Sequence, residues 1–406
     1  MPEVTTTAPC AVDGATLHVN DLLSESREEQ ERGGYFHTLR EILQQPSTWL
    51  DTAERMTARA AELSPWVEGI RSLVLTGSGS SEYAGACVRL VLQNALSVAT
   101  QTLGGGVLLT HGARAIPPER PGLMISLARS GDSPESVAAV SLMLDVEPGI
   151  RHLVITCNRQ GRLAITYRDD PRVQVIALDE RTNDRSLVMT SSFTNMVLAA
   201  RALGLLQAPD RYRALCRDLS ERAGRLLGTS FPVLARVAEK DFNRVLFLGS
   251  GSRFGAARES ALKMLEMTAG RVIAISETYL GLRHGPMSLV HSDTWVVCFL
   301  SSDPQIRGYE SDLIRELSRK QLGLGKLIFG EHIPHDLAGP ADVLVESTGS
   351  ASLGDEDWPV LDVIVGQILA FFRCRKEGLQ PDSPSSDGVI QRVVQNFALH
   401  RTETAP

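Results

Sequence analysis

One strand-to-helix unit occurs twice in this chain, and that repeat constrains the fold more than any other feature. Ser72-Leu-Val-Leu-Thr-Gly-Ser-Gly-Ser80 returns as Arg244-Val-Leu-Phe-Leu-Gly-Ser-Gly-Ser252, with Gly77 and Gly249 172 residues apart. An apolar run, a Gly-Ser-Gly-Ser turn and an Ala-rich helical pattern follow one another in both copies, at a period far too long for a solenoid repeat. A duplicated domain is implied, and 406 residues suffice for two. After the first turn, strand-like and helix-like segments alternate: 123–127, then helical 137–144, then 152–156 and 173–178. That alternation argues a parallel sheet covered by helices, the α/β class.

Helical periodicity over 38–45 and 49–62, with Pro46-Ser-Thr48 as break and cap, leads into the first unit. A second helical stretch, 210–227, precedes the second unit, and Gly228-Thr-Ser-Phe-Pro232 supplies a break. The expected division is an N-terminal extension over 1–34, a first domain over 35–220, a second over 221–395 and a tail over 396–406. Residues 358–375 read as a closing helix and 380–388 as a turn-rich segment.

Composition narrows the function classes. With 43% hydrophobic and 22% charged residues, disorder and collagen-like or disulfide-scaffold folds drop out. The balance of 41 basic against 48 acidic residues carries no footprint for nucleic acid. Six cysteines without a CxxC pair read as reduced thiols. Residues 1–20 lack Lys and Arg, unlike a secretory leader, and read as a loose extension. The apolar runs 294–300 and 361–372 are too short, or too interrupted by Asp362, Gly366 and Gln367, to cross about 30 Å of hydrocarbon. A cytoplasmic protein with neither membrane nor nucleic-acid partner is expected.

The loop Gly77-Ser-Gly-Ser-Ser81 joins a strand to a helix, where unpaired N–H groups and the positive end of the helix dipole favour an anion. Ser80 and Ser81 add hydroxyl donors; the plain alternative is an ordinary turn and cap. A second loop, Arg129-Ser-Gly-Asp-Ser133 before Pro134, repeats the pattern. Loops at the carboxyl ends of neighbouring parallel strands converge, so Ser80, Ser81, Arg129, Ser130 and Ser133 form a candidate phosphate-binding set. Ser133 can equally be the helix N-cap. No Gly-x-x-x-x-Gly-Lys motif or complete dinucleotide fingerprint is present, which argues against ATP and NAD.

The second unit holds the acid and base groups. Glu259, Lys263 and Glu266 are spaced four and three apart, so a solvated charge ladder on a helix is the plain reading. Glu266 as a functional carboxylate is the sharper one. His284 stands in an Arg-His-Gly-Pro turn, and its near-neutral pKa suits proton transfer. Four hydroxyls, Thr190, Ser191, Ser192 and Thr194, precede an apolar helix and either cap it or line a ligand. His332 and His335 flank Pro334 without a ligand frame, and no metal site is expected.

Taken together, the paired Gly-Ser-Gly-Ser units, the 126–133 loop and Glu277-Thr-Tyr-Leu-Gly-Leu-Arg-His-Gly-Pro286 resemble the SIS (sugar isomerase) proteins, with a close match to the AgaS-type branch, over roughly residues 35–400. The resemblance implies two tandem domains, each a parallel five-stranded sheet flanked by helices. It also implies an amino-sugar-phosphate deaminase/isomerase that needs no metal or cofactor and converts galactosamine 6-phosphate to tagatose 6-phosphate and ammonia. The isomerase half of glucosamine-6-phosphate synthase is similar more distantly. Its base matches Glu266, in the frame Ala261-Leu-Lys-Met-Leu-Glu266. Its ring-opening histidine matches His284, with Arg283 in place of lysine; in that relative the histidine comes from the neighbouring subunit, which implies a homodimer with shared active sites. By the same resemblance Glu277 would orient His284 or bind substrate hydroxyls, and Gly79, Leu187, Thr190, Ser191 and Arg392 would line the substrate, Arg392 nearest the position of a C-terminal lysine. The other readings are a plain aldose–ketose isomerase and a sugar-phosphate sensor without turnover. A sensor should carry a basic DNA-reading segment, whereas residues 1–34 set Arg27 and Arg32 against Glu25, Glu28, Glu29 and Glu31.

Overall fold

The computed structural model describes residues 19–349, 352–385, 387–394 and 398–400. The duplication appears as two five-stranded parallel sheets. The first comprises β1 (Ser72–Gly77), β2 (Ala99–Gly104), β3 (Gly122–Ala128), β4 (Ile150–Thr156) and β5 (Val173–Ala177). The second comprises β6 (Arg244–Leu248), β7 (Ile273–Glu277), β8 (Thr294–Phe299), β9 (Gly325–Gly330) and β10 (Val343–Glu346). Their orders, β2-β1-β3-β4-β5 and β10-β9-β8-β6-β7, are the same topology. Even the register repeats: Ser72 pairs with Gly122 in one sheet, and Arg244 with Thr294 in the other.

Strands β1, β3, β8 and β9 are buried along their whole length, which explains why they read as apolar runs rather than alternating ones. One apolar core runs through both sheets, joining Leu75 and Ile125 to Val245 and Phe247. The helix Pro359–Lys376, expected at 358–375, is buried from Pro359 to Cys374 and packs against Ser252–Met267. Among the described residues no helix is long and apolar enough to cross a membrane.

Several local expectations need correction. The break between the two helices falls at Gln44, between Phe36–Leu43 and Gln45–Ala58, and Pro46 sits in the first turn of the second, where a missing N–H costs nothing. Gly228-Thr-Ser-Phe-Pro232 does not break the chain: a π-helical turn, Leu226–Ser230, carries Pro209–Arg225 into Phe231–Ala238, with Pro232 in that helix's first turn. Residue 220 thus lies inside a helix. Residues 19–34, expected as extension, fold into Val19–Ser24 and Arg27–Arg32, the latter with a Ser26/Glu29 capping box. Residues 1–18 and 401–406, and most of the expected tail, lie outside the described residues. The turn-rich 380–388 segment has a definite task. Asp382 accepts from the backbone N–H groups of His37 and Thr38 at 3.0 and 2.7 Å, and its carbonyl accepts from Leu187 at 3.0 Å.

Candidate functional site

In both sheets the strand order reverses direction between the first and third strands of the unit, where the crevice at the carboxyl ends opens. In the first sheet this sets the loops after β1 and β3 side by side. Gly77 must lack a side chain, because a Cβ there would fall 2.6 Å from Ser81. Gly79, at φ +56°, turns the chain into the helix Ser80–Leu96. Ser80 and Ser81 are buried at its first turn. Ser78 was missed in the sequence, although its Oγ is buried with no hydrogen-bond partner among the described residues. After β3, Ser130 is buried, and its Oγ accepts from Asp132 N–H at 3.2 Å. Ser133 occupies the N-cap of Pro134–Val146 without making a side-chain capping bond, so the cap reading does not use its hydroxyl.

Arg129 departs from expectation. Its guanidinium is buried and donates to the carbonyls of Ser186 (3.3 Å), Leu187 (2.9 Å) and Arg392 (2.6 Å). It ties three stretches of backbone together beside the nest rather than offering a free fork to an anion.

The helix Ser252–Met267 follows β6 and approaches Ser80–Leu96 closely, since a Cβ on Gly255 would lie 2.7 Å from the Cys87 backbone nitrogen. That approach carries Lys263 across to the first unit. Its ammonium donates to Ser80 Oγ at 3.1 Å and pairs with Glu266 at 2.5 Å and Glu259 at 3.3 Å. The solvated-ladder reading therefore fails for two of the three: Glu259 and Lys263 are fully buried, whereas the Glu266 side chain remains 23% exposed. Burial pushes Glu259 up to about 7 against the pull of the Lys263 charge, and Glu266 adds to the rise. Burial also works against the Lys263 charge, but Glu259 and Glu266 outweigh it and raise its pKa.

Glu277 ends β7, and its Oε1 accepts from the N–H and hydroxyl of Thr278 at 2.7 and 3.2 Å. His284 is exposed in the turn after Tyr279–Leu282, its N–H donating to the Gly281 carbonyl at 2.9 Å. Among the described residues no hydrogen bond or ion pair links the His284 ring to Glu277 or Glu266, so the expected orienting contact is not formed within one chain. Arg283 instead pairs with Glu316 at 2.7 Å.

The hydroxyls do not cap the helix: Thr190, at the N-cap, makes no side-chain capping bond, and its Oγ1 is buried without a partner among the described residues. Asp184, six residues upstream, accepts from the backbone N–H groups of Thr190 (2.7 Å) and Ser192 (2.9 Å) and from the hydroxyls of Ser191 and Ser192, both at 2.5 Å. Thr190 and Ser191 are completely buried and do not line an open site. Leu187 meets Arg129 and Asp382 through its backbone. Arg392 donates to the Asp184 carbonyl at 2.8 Å and to Asn183 Oδ1 at 2.7 Å, so its side chain braces this loop. Beside it Glu41 accepts from Arg185 N–H at 2.5 Å, and burial, reinforced by Asp184, pushes its carboxyl up to about 7.

No protein-family model matches the chain. It is 37% identical to the D-galactosamine-6-phosphate deaminase AgaS of Shewanella sp. (strain ANA-3), over 94% of this chain and 96% of that one. The crystal structure of tagatose-6-phosphate ketose/aldose isomerase from Escherichia coli superposes with a TM-score of 0.82 at 30% identity, covering 90% and 96% of the two chains. The C-terminal domain of glucosamine-fructose-6-phosphate aminotransferase from Francisella tularensis, at 18% identity and a TM-score of 0.73 over 89% of this chain and all of that one, shares the fold. Twin sheets with serine-rich loops at the switch point define the SIS class. Within that class the chain belongs to the AgaS family.

Proposed function

We propose that this protein is an amino-sugar-phosphate deaminase/isomerase that converts galactosamine 6-phosphate and water to tagatose 6-phosphate and ammonia. The reading is supported by the relative named for that deaminase and the neighbour named for the ketose/aldose isomerase. The observation that carries it is the buried ammonium of Lys263, shared between Ser80 in the phosphate loop and Glu266 at the crevice. In this reading Ser78, Ser80, Ser81, Ser130 and Ser133 hold the phosphate, and Arg129 fixes the wall behind them. Anchoring the phosphate sets the reacting carbons at a fixed distance from Glu266 and turns binding energy into orientation.

His284 opens the sugar ring by proton transfer. Glu266 then removes the C2 proton of the open-chain aldehyde and delivers it to C1 through an enaminol. The result is a C2 imine, which water hydrolyses to the ketone with release of ammonia. Lys263, its ammonium 2.5 Å from the Glu266 carboxylate, holds that group in place at the crevice. Because His284 is exposed and its ring makes no bond among the described residues, the reading assigns it to the site of a second copy, in a homodimer. Ile273 on edge strand β7 and Leu280 beside His284, 48% and 49% exposed, supply apolar surface for such a contact. A cytoplasmic location and two domains, one built around each sheet, complete the proposal. Incubation with galactosamine 6-phosphate, glucosamine 6-phosphate and tagatose 6-phosphate, with ammonia and ketose measured, tests it. Ammonia from galactosamine 6-phosphate is expected, and its absence refutes the deaminase reading.

A further inference from the structure

The second sheet carries the same pair of loops as the first, at the same spacing. Ser78 and Ser250, Ser80 and Ser252, and Ser130 and Ser302 are each 172 residues apart. Their occupancy differs. The Ser78 hydroxyl has no partner among the described residues, and Ser80 meets a cation. In the second sheet Asp355 accepts from Ser302 N–H at 2.8 Å, from the Ser301 hydroxyl, and at 3.0 Å from the Ser302 hydroxyl, which it shares with the Leu353 carbonyl at 2.8 Å. Glu310 accepts from Ser301 N–H at 2.6 Å and is hydrogen-bonded to Ser250. At the position of Ser81 stands Arg253, fully buried, donating to Asp362 at 2.9 and 2.6 Å.

A carboxylate that receives two serine hydroxyls and an amide at the carboxyl edge of a parallel sheet takes the donors that a phosphate ester's oxygens would take. We propose that the second nest is a phosphate-ester site closed by the chain's own Asp355, so that each chain takes one sugar phosphate, in the first nest, and loss of the Asp355 side chain opens the second to a phosphate anion. Arg307, whose Nε donates to the Ser301 carbonyl at 2.6 Å, and Arg253 face this region, opposed by Glu310 and Asp362. Without Asp355, the Ser301 hydroxyl and the Ser302 N–H lose their acceptor beside two guanidinium groups that have lost a counter-charge.

Thermal melts in inorganic phosphate and in chloride at equal ionic strength test this on wild type, Asp355→Ala and Asp355→Ala/Ser301→Ala. Phosphate is expected to raise the Tm of Asp355→Ala by about 2 °C or more beyond its effect on wild type. That surplus disappears in the double variant. Equal shifts in wild type and Asp355→Ala overturn the proposal. Should Asp355→Ala fold only when phosphate is present, that result supports it. Should it fold in neither salt, Asp355→Ser takes its place, with the same surplus expected and equal shifts again overturning the proposal. The first nest serves only as the pattern here, and the readout is a melting temperature rather than turnover, so the proposal can fail while the deaminase reading stands.

Discussion

Lys263, on the first helix of the second sheet, donates its ammonium to Ser80 in the first sheet's loop at 3.1 Å while lying 2.5 Å from Glu266. Replacing Lys263 by Met leaves Glu259 buried without its counter-charge, an arrangement that costs about 3–5 kcal/mol. Denaturant unfolding should show that loss, and kcat should fall with it. Adding Glu259→Gln removes the stranded acid, so the double variant should recover most of the stability and none of the activity.

The two roles assigned around the first nest separate by measurement. Ser130→Ala or Ser78→Ala should raise KM for the sugar phosphate by about tenfold, the worth of one hydrogen bond to a charged group, with little change in Tm. Arg129→Ala instead orphans the carbonyls of Ser186, Leu187 and Arg392, so its main effect should be a lower Tm. A large KM effect at unchanged Tm would return Arg129 to the phosphate site.

Much of this fold was legible in the sequence, because strand runs and Gly-Ser-Gly-Ser turns are local patterns and their repetition fixed two equivalent sheets. The candidate site was legible only in part. Glu259, Lys263 and Glu266 have the spacing of a solvated ladder, and nothing local reveals that the helix packs against Ser80–Leu96 and buries two of them. The hydroxyls of Ser191 and Ser192 looked free because their acceptor, Asp184, lies outside the first turn that capping rules inspect. Arg129 read as a phosphate binder and Arg392 as a substrate-lining group near the place of a C-terminal lysine, whereas backbone carbonyls brought near by tertiary structure claim both.

Stability should depend on pH through Glu310. Burial raises its carboxyl from 4.5 to about 7, against hydrogen bonds from Ser250 and Ser301 and the charge of Arg253. The folded state therefore holds this proton more tightly than the unfolded one, and the stability so gained is present below about pH 4.5 and lost as pH rises through about 7. Glu310→Gln removes that dependence. Between about pH 5 and about pH 8 its unfolding free energy should fall by about 1–3 kcal/mol less than that of wild type, as read from denaturant melts at both values.

Sharing of His284 between chains predicts complementation. Glu266→Gln and His284→Ala are each expected to be inactive, but a mixed dimer contains one site with both native groups. Unfolding and refolding the two together should restore about a quarter of wild-type activity, the share set by random pairing. No recovery would mean that each chain supplies its own histidine.

The most direct measurement follows the C2 proton. With galactosamine 6-phosphate in deuterated water, wild type should exchange C2 hydrogen with solvent as it releases ammonia. Glu266→Gln should bind the sugar phosphate with similar affinity yet exchange at least about a hundredfold more slowly. Exchange at the wild-type rate in Glu266→Gln would contradict the account.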